Sequence, residues 1–428
     1  MEEDFNLKFE SLYKIIVLAL KVNRCHPDVK RDWKWIVYIV LAHGFFFFVY
    51  CIVLYSTVFY DIKNKNFTQA CANGVLAVIF NVVTLKYIVM VVYQKTLAEI
   101  IVKINKDYET AKSFSKQERD IILKYARKGK TIVKWWTYFA LATAFLFMSK
   151  SVVLMTYYSL AGEFKLVHAY DMNYPKFVED KKGELHVYLI LYSFFIYYDL
   201  YAAIMYIGFV PLVPIFVLHA CGQIEIVTTR LLNLSDSSHP KHIVQRQIKG
   251  IIIYVQEIQS FVKKIRYSMI FFYELLLKAA VILIPVTGYQ ILKVSRYLVK
   301  VYFFDIIYLT YSTEYILTSL TSGYRVLLEF FSRQSESMRQ AVYACGWETH
   351  PHAGTRGLIK TLLVQTSRPV ALNTLFRVIS RDALTDVSIT SQAAVAANDR
   401  SVALNMLFRV STQAVGDEIP IIIPKKIR

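Results

Sequence analysis

Side chains that could perform catalysis or bind a metal are few in this sequence, and they do not fall into known catalytic arrangements. The patterns GxSxG, HExxH, GxxxxGK[ST] and a spaced CxxC are all absent from the 428 residues. His350 and His352 form one pair in a polar stretch, which is too little for a zinc site. The sequence therefore predicts a protein that is not an enzyme, with no cofactor and no metal. The cysteines show neither metal-ligand spacing nor a disulfide framework: Cys25, Cys51, Cys71, Cys221 and Cys345.

Charged residues inside apolar segments are the next candidates for chemistry, because a charge in lipid is costly and is usually retained for function. Lys86, Asp199, Asp305 and Glu314 lie in such segments without an opposite charge one helical turn away. We expect them to pair across helices or to face a water-filled cavity. Nothing places them in register for a proton relay. A transporter would also require inverted repeats or pairs of broken helices, and the sequence shows neither.

Long apolar segments must hold these residues in place. Hydrophobic residues make up 55% of the chain and aromatic residues 15%, and the mean hydropathy is +0.37. Runs of about 20 apolar residues can cross a hydrocarbon core of ~30 Å as helices and are too long for barrel strands. We predict an all-α, polytopic helical membrane protein with six clear spans and a doubtful seventh. The spans are predicted at about 35–58, 70–93, 135–158, 188–220, 268–292 and 299–322.

The distribution of basic residues predicts the orientation. The N-terminal segment 1–34 contains seven Lys and Arg residues, segment 94–134 contains eleven, and segment 221–267 contains seven. The alternate loops contain fewer: two in 60–69, four in 159–187 and three in 293–300. Basic residues collect in cytoplasmic loops, so the N-terminus is predicted to be cytosolic. The same rule explains the net charge of +18 without a nucleic-acid partner. The inverted topology disfavours a seven-span G-protein-coupled receptor, whose N-terminus is outside.

Two motifs carry a resemblance to a known family. The first is GYRVLLEFFSRQSESMRQAVYACGW, with Gly323, Ser335, Ala341, Tyr343 and Trp347 at characteristic positions. Its spacing resembles the G…(E/Q)S…AxY…W pattern at the end of the sixth span of insect odorant receptors. The second, HACGQ, contains Cys221, Gly222 and Gln223 and resembles the family's CGQ segment at the inner end of the fourth span. The layout of residues 30–387 is also similar to that of this family.

The resemblance implies a function and a set of partners. It implies a ligand-binding tuning subunit of a heteromeric cation channel, assembled as a tetramer with an odorant co-receptor in the plasma membrane of sensory dendrites. The helices 221–267 and 325–347 would then belong to a shared cytosolic anchor, in which Tyr343 and Trp347 pack. Segments 94–134 and 221–267 would be long cytosolic helices, and 323–387 the anchor segment and approach to the seventh span.

Small volatile ligands need apolar, adaptable walls with one or two polar groups, which aromatic and Met side chains provide. The resemblance implies a pocket among the outer halves of several spans. We select candidates there by their predicted depth in the membrane and by their side-chain chemistry. Any single aromatic residue among them can equally be a packing residue. The candidates are Phe80, Met148, Ser151, Met155, Tyr158, Tyr197, Tyr198, Tyr201, Tyr289, Phe303 and Tyr308.

The C-terminal region departs from the family pattern. Relatives have a seventh span that lines the pore, and residues 358–387 resemble the approach to it. The continuation lacks an apolar run of membrane length, and VALNTLFRV at 370–378 recurs as VALNMLFRV at 402–410. We expect segment 388–428 to be an aberrant, partly disordered tail. A non-functional pseudogene product therefore stays an alternative, as does a gustatory-type chemoreceptor, whose diagnostic motif would lie in the seventh span.

The predicted orientation can be tested by glycosylation mapping. The sequon at Asn66 should lie outside the cell and carry a glycan, whereas the sequon at Asn233 should be cytosolic and unmodified. Replacing Asn66 with Gln should remove the glycosidase-sensitive shift in gel mobility, and Asn233→Gln should leave it unchanged. A glycan on Asn233 would show that the orientation is reversed.

Overall fold

The structure, a computed structural model, describes residues 7–162, 164–235, 241–297, 323–345 and 353–367. Within these ranges the chain is helical and contains no strand, so the predicted all-α class is confirmed. A π-helical segment, Ser56–Ile62, extends the third helix. The α-helices are α1 Phe9–Leu12, α2 Lys14–Val22, α3 Trp33–Tyr55, α4 Phe67–Val92, α5 Gln94–Thr110, α6 Lys116–Leu160, α7 Lys176–Glu179, α8 Leu185–Phe209, α9 Leu212–Ser235, α10 Lys241–Tyr297, α11 Gly323–Ala344 and α12 Ala353–Ser367.

Several of these helices have membrane length. In the described ranges three helical stretches are long and apolar enough to cross a bilayer: Trp33–Ile62, Lys116–Leu160 and Leu185–Leu234. A fourth candidate joins the end of α4 to α5 across a bend of 72°. The predicted sixth span, 299–322, lies outside the described residues, and so do Phe303, Tyr308, Trp347 and segment 388–428. The count of six spans and their orientation therefore stay predictions.

Local sequence signals explain where the helices start and break. Asp32 caps α3 by accepting a hydrogen bond from the backbone N–H of Trp35 at 2.9 Å. Ser115 and Glu118 form a reciprocal capping box at the start of α6. The fourth predicted span is divided into α8 and α9 immediately around Pro211, which cannot donate a backbone hydrogen bond within a helix.

The N-terminal segment makes a larger contribution to the core than its polar sequence indicates. Phe9, Tyr13, Ile16 and Leu20 are each 2% exposed or less and belong to the main hydrophobic core. Helix α2 packs along α8, where Gly208 brings the two backbones close together. A Cβ atom on Gly208 would come within 3.0 Å of the Leu20 side chain. The first helices therefore secure the position of α8, which carries many of the candidate ligand residues.

This close packing predicts a destabilised Gly208→Val variant. The added side chain has no space beside Leu20, and such overpacking costs about 1–3 kcal/mol. Gly44→Val is the matched control, because a Cβ at Gly44 meets no atom within 4 Å. Thermal unfolding of the detergent-purified protein should show a lower Tm for Gly208→Val than for Gly44→Val. Equal Tm values would contradict the proposed packing of α2 on α8.

Candidate functional site

The two sequence motifs meet at one tyrosine on the predicted cytosolic side. Gly222 of α9 lies against the ring of Tyr125 in α6, so closely that a Cβ on Gly222 would lie 3.1 Å from the ring. The Tyr125 hydroxyl donates to Glu225 at 2.6 Å and accepts from the Gln334 side chain of α11 at 3.1 Å. Burial, followed by the bond to Glu225, raises the pKa of Tyr125, so the hydroxyl stays a donor. We call Tyr125, Gly222, Gln223, Glu225 and Gln334 the inner junction.

Neighbouring motif residues support the inner junction. The Tyr254 hydroxyl of α10 donates a hydrogen bond to the Gln223 side chain, and Cys221 is fully buried. Ser335 and Ala341 of α11 are 3% and 4% exposed, on the face that packs against α9. Tyr343, in contrast, is 60% exposed, so a packing role for it requires a contact outside the described residues. Gly323 begins α11.

A buried ion-pair network links α5, α9 and α10 beside the inner junction. The Asp107 carboxylate lies 3.0 Å from His219 Nε2 and 2.8 Å from Lys103 Nζ, and Lys103 also contacts Glu257. Burial alone would raise the pKa of Asp107, but the hydrogen bonds and charges of His219 and Lys103 outweigh it and lower that pKa. Burial alone would lower the pKa of Lys103, but its bonds to Asp107 and Glu257 outweigh the effect of burial and raise that pKa.

The predicted ligand residues of the outer halves separate into two groups. Phe80, Tyr197, Tyr198 and Tyr201 surround α3, where the Phe46 ring stacks on Tyr198 at 4.5 Å and on Phe80 at 5.0 Å. The Tyr198 hydroxyl donates to the Leu76 carbonyl at 2.7 Å and the Tyr197 hydroxyl to the Ala42 carbonyl at 2.8 Å. Their polar groups are satisfied and their rings are closely packed. This group, the aromatic core, therefore resembles helix packing more than an open site.

The second group lies between α6, α8 and the segment that precedes α7. Ser151 of α6 is fully buried and Tyr188 of α8 is 3% exposed, and their hydroxyls are neighbours. Neither hydroxyl makes a hydrogen bond to any other residue in the described part of the chain. Met148 lies one turn before Ser151 and its carbonyl accepts from the Tyr192 hydroxyl at 2.7 Å. Met148 and Tyr192 are partly exposed.

Residues of the segment before α7 contact this second group. The Tyr170 hydroxyl donates to both carboxylate oxygens of Asp199, at 2.9 and 3.0 Å, and its ring lies 4.9 Å from that of Phe195. His168 lies over Tyr188 with a ring separation of 5.2 Å. We call Ser151, Tyr170, Tyr188, Tyr192 and Asp199 the outer cluster. Met155 and Tyr158 lie further along α6 and are partly exposed, and the Tyr289 side chain is outside what the structure describes.

Sequence reasoning missed most members of the outer cluster. Tyr188, Tyr192, Phe195 and Asp199 are spaced by four, three and four residues, which places them on one face of α8. That spacing is visible in the sequence and could have identified the face. Asp199 was expected to pair across helices or to face a cavity, and its partner is Tyr170. Tyr170 follows no periodic pattern, so only the folded chain shows that it contacts Asp199.

Two further predicted residues have clear surroundings. Lys86 is 1% exposed, and its ammonium group lies 2.8 Å from the centroid of the Tyr206 ring, a cation–π contact. Its nitrogen has no hydrogen-bond partner among the described residues. Asn66 is exposed and caps α4 by accepting from the backbone of Gln69, so it is accessible for glycosylation.

The helices of membrane length, together with the inner junction, define a multi-pass helical membrane protein. A profile of the family described as 7tm Odorant receptor matches residues 66–388. The chain belongs to this odorant receptor family, which comprises receptors and ion channels rather than enzymes. The resemblance drawn from the two motifs is thereby confirmed.

Solved structures support the same fold. The insect olfactory receptor OR5 from Machilis hrabei in complex with eugenol is similar to this chain with a TM-score of 0.67 and 10% identity, covering 94% of this chain and 97% of that one. Another structure of OR5 from Machilis hrabei gives a TM-score of 0.67 and 13% identity, covering 92% of this chain and 98% of the other. Among curated proteins, none matches this chain significantly.

The ion-pair network predicts a pH-dependent stability. Folding lowers the pKa of Asp107, so ionised Asp107 stabilises the folded protein. This stabilisation is fully present above the unfolded-state pKa of about 4, and it is lost as the pH falls through the lower folded-state pKa. Asp107→Asn leaves His219 without its carboxylate and Lys103 with Glu257 alone, and breaking a buried pair costs about 3 kcal/mol. The Tm of the variant should be lower at pH 7, and the difference should shrink below about pH 4. The exposed Asp28→Asn is the control, and a pH-independent difference would contradict the assignment.

Proposed function

We propose that this chain is a ligand-binding subunit of an odorant-gated cation channel. In this proposal it assembles with an odorant co-receptor in the plasma membrane of a sensory neuron dendrite, and a volatile compound in the outer cluster favours opening of the shared pore. Membership of the odorant receptor family supports the receptor role. The similar Machilis hrabei receptor is described in complex with eugenol, a small aromatic compound, which supports a ligand of comparable chemistry here.

One observation carries the location of the ligand site. The hydroxyls of Ser151 and Tyr188 are buried next to each other, and neither has a hydrogen-bond partner on any other described residue. Leaving a buried polar group unsatisfied costs about 1–3 kcal/mol, so these hydroxyls gain free energy from a water molecule or ligand that supplies a hydrogen bond. A volatile alcohol, phenol or carbonyl compound would satisfy these hydroxyls. Tyr192, Phe195 and Met148 would provide the apolar walls that a small ligand requires.

The position of the outer cluster also suggests how binding reaches the channel. Helix α8 carries the cluster on one face and continues past Pro211 into α9, which contains Gly222 and Glu225 of the inner junction. Helix α6 carries Ser151 near one end and Tyr125 near the other, so two helices connect the two regions directly. A shift of α6 relative to α8 on ligand binding would therefore alter the packing of α11 on α9, since Gln334 contacts Tyr125.

Co-expression with an odorant co-receptor tests the proposal. Aromatic alcohols and phenols should evoke cation currents, and Ser151→Ala or Tyr188→Phe should raise the half-maximal concentration about three- to tenfold through the loss of one hydrogen bond. The matched controls are Ser193→Ala, whose exposed hydroxyl bonds to the Leu189 carbonyl of its own helix, and the exposed Tyr157→Phe. Silence of the wild-type chain across a broad panel, or equal effects in the controls, would contradict the proposal.

A further inference from the structure

The outer cluster contains a carboxylate that the binding of neutral volatiles does not require. Asp199 lies on the same face of α8 as Tyr188 and Tyr192. In the described residues its hydrogen-bonding partner is the Tyr170 hydroxyl, and none of the ion pairs found there includes it. A carboxylate with one neutral partner in an apolar region keeps unused acceptor capacity, because each carboxylate can accept about four hydrogen bonds.

The surroundings of Asp199 suit a cation of small size. The Tyr170 ring lies 4.9 Å from Phe195 and 6.2 Å from Phe147, so the tyrosine that bonds to the carboxylate belongs to a cluster of three aromatic rings. Aromatic faces attract ammonium groups, and the attraction is strongest where water is excluded. Asp199 itself is partly exposed, in contrast to the buried Phe195 and Tyr170. A small molecule can therefore reach it.

We propose that the outer cluster recognises volatile amines through an ion pair between the ligand ammonium group and the Asp199 carboxylate. The proposal rests on the function proposed above and names a ligand class for that site. The ion pair between the ammonium group and Asp199 is neutral overall, which reduces the free-energy cost of placing two charges in an apolar environment. Tyr170 keeps its hydrogen bond to the carboxylate and orients it, and the aromatic portion of the ligand packs against Tyr192 and Phe195.

A pair of probes of equal shape separates this proposal from the general one. 2-Phenylethylamine and 2-phenylethanol differ in the amine and hydroxyl groups, and both can be added to the purified full chain at pH 7 while its Tm is measured. The amine should raise the Tm, and Asp199→Asn should lower the ratio of amine affinity to alcohol affinity about tenfold or more. The exposed Asp171→Asn in the neighbouring segment is the matched control for general attraction of cations and should change neither.

A second variant tests whether Asp199 has only a structural role. Tyr170→Phe removes the hydroxyl that bonds to the carboxylate but leaves the carboxylate itself, so amine binding should persist. A loss of amine binding in Tyr170→Phe equal to that in Asp199→Asn would overturn the proposal, because it would assign the effect to the Tyr170–Asp199 contact. Binding of the alcohol without the amine would overturn the amine site and leave the proposed odorant site standing. Binding of neither probe would count against both.

Discussion

The contact between the Gly222 backbone and the Tyr125 ring is the constraint on which the inner half of the molecule depends. It is possible because position 222 has no Cβ, and it brings α6 and α9 close enough for Tyr125 to bond with both Glu225 and Gln334. Three helices are thereby joined at one hydroxyl. The adjacent Asp107 network adds α5 and α10 through charge rather than through close packing. Shape and electrostatics thus fix the same region independently.

Helix α8 organises the outer half through two faces of different character. One face packs its tyrosines against α3 and α4, where the hydroxyls bond to backbone carbonyls and the rings stack. The other face places Tyr188, Tyr192 and Asp199 toward α6 and the segment before α7, where the Tyr188 and Ser151 hydroxyls have no partner on any other described residue. A folded protein normally satisfies its buried polar groups. We therefore propose that one face of α8 is structural and that the other contributes to the ligand site.

The fold class followed from the sequence because apolar runs of membrane length leave the backbone few alternatives to a helix. The motifs around Gly222 and Ser335 identified the family, and both lie at real packing contacts. The candidate ligand residues could be narrowed less from the sequence, because depth in the membrane and side-chain type favour Tyr198 and Ser151 equally. Only the packing distinguishes them: the Tyr198 hydroxyl is bonded to a carbonyl and the Ser151 hydroxyl is not. Tyr170 and the buried face of α2 could not be predicted, because their contacts are distant in sequence.

The most direct test of the central claim is an experimental structure of the chain assembled with an odorant co-receptor and saturated with an activating aromatic alcohol. The account predicts ligand density between α6 and α8, beneath Tyr170 and within hydrogen-bonding distance of Ser151 or Tyr188. Density among Phe46, Phe80 and Tyr198 would contradict it, because it would place the ligand in the region assigned here to helix packing.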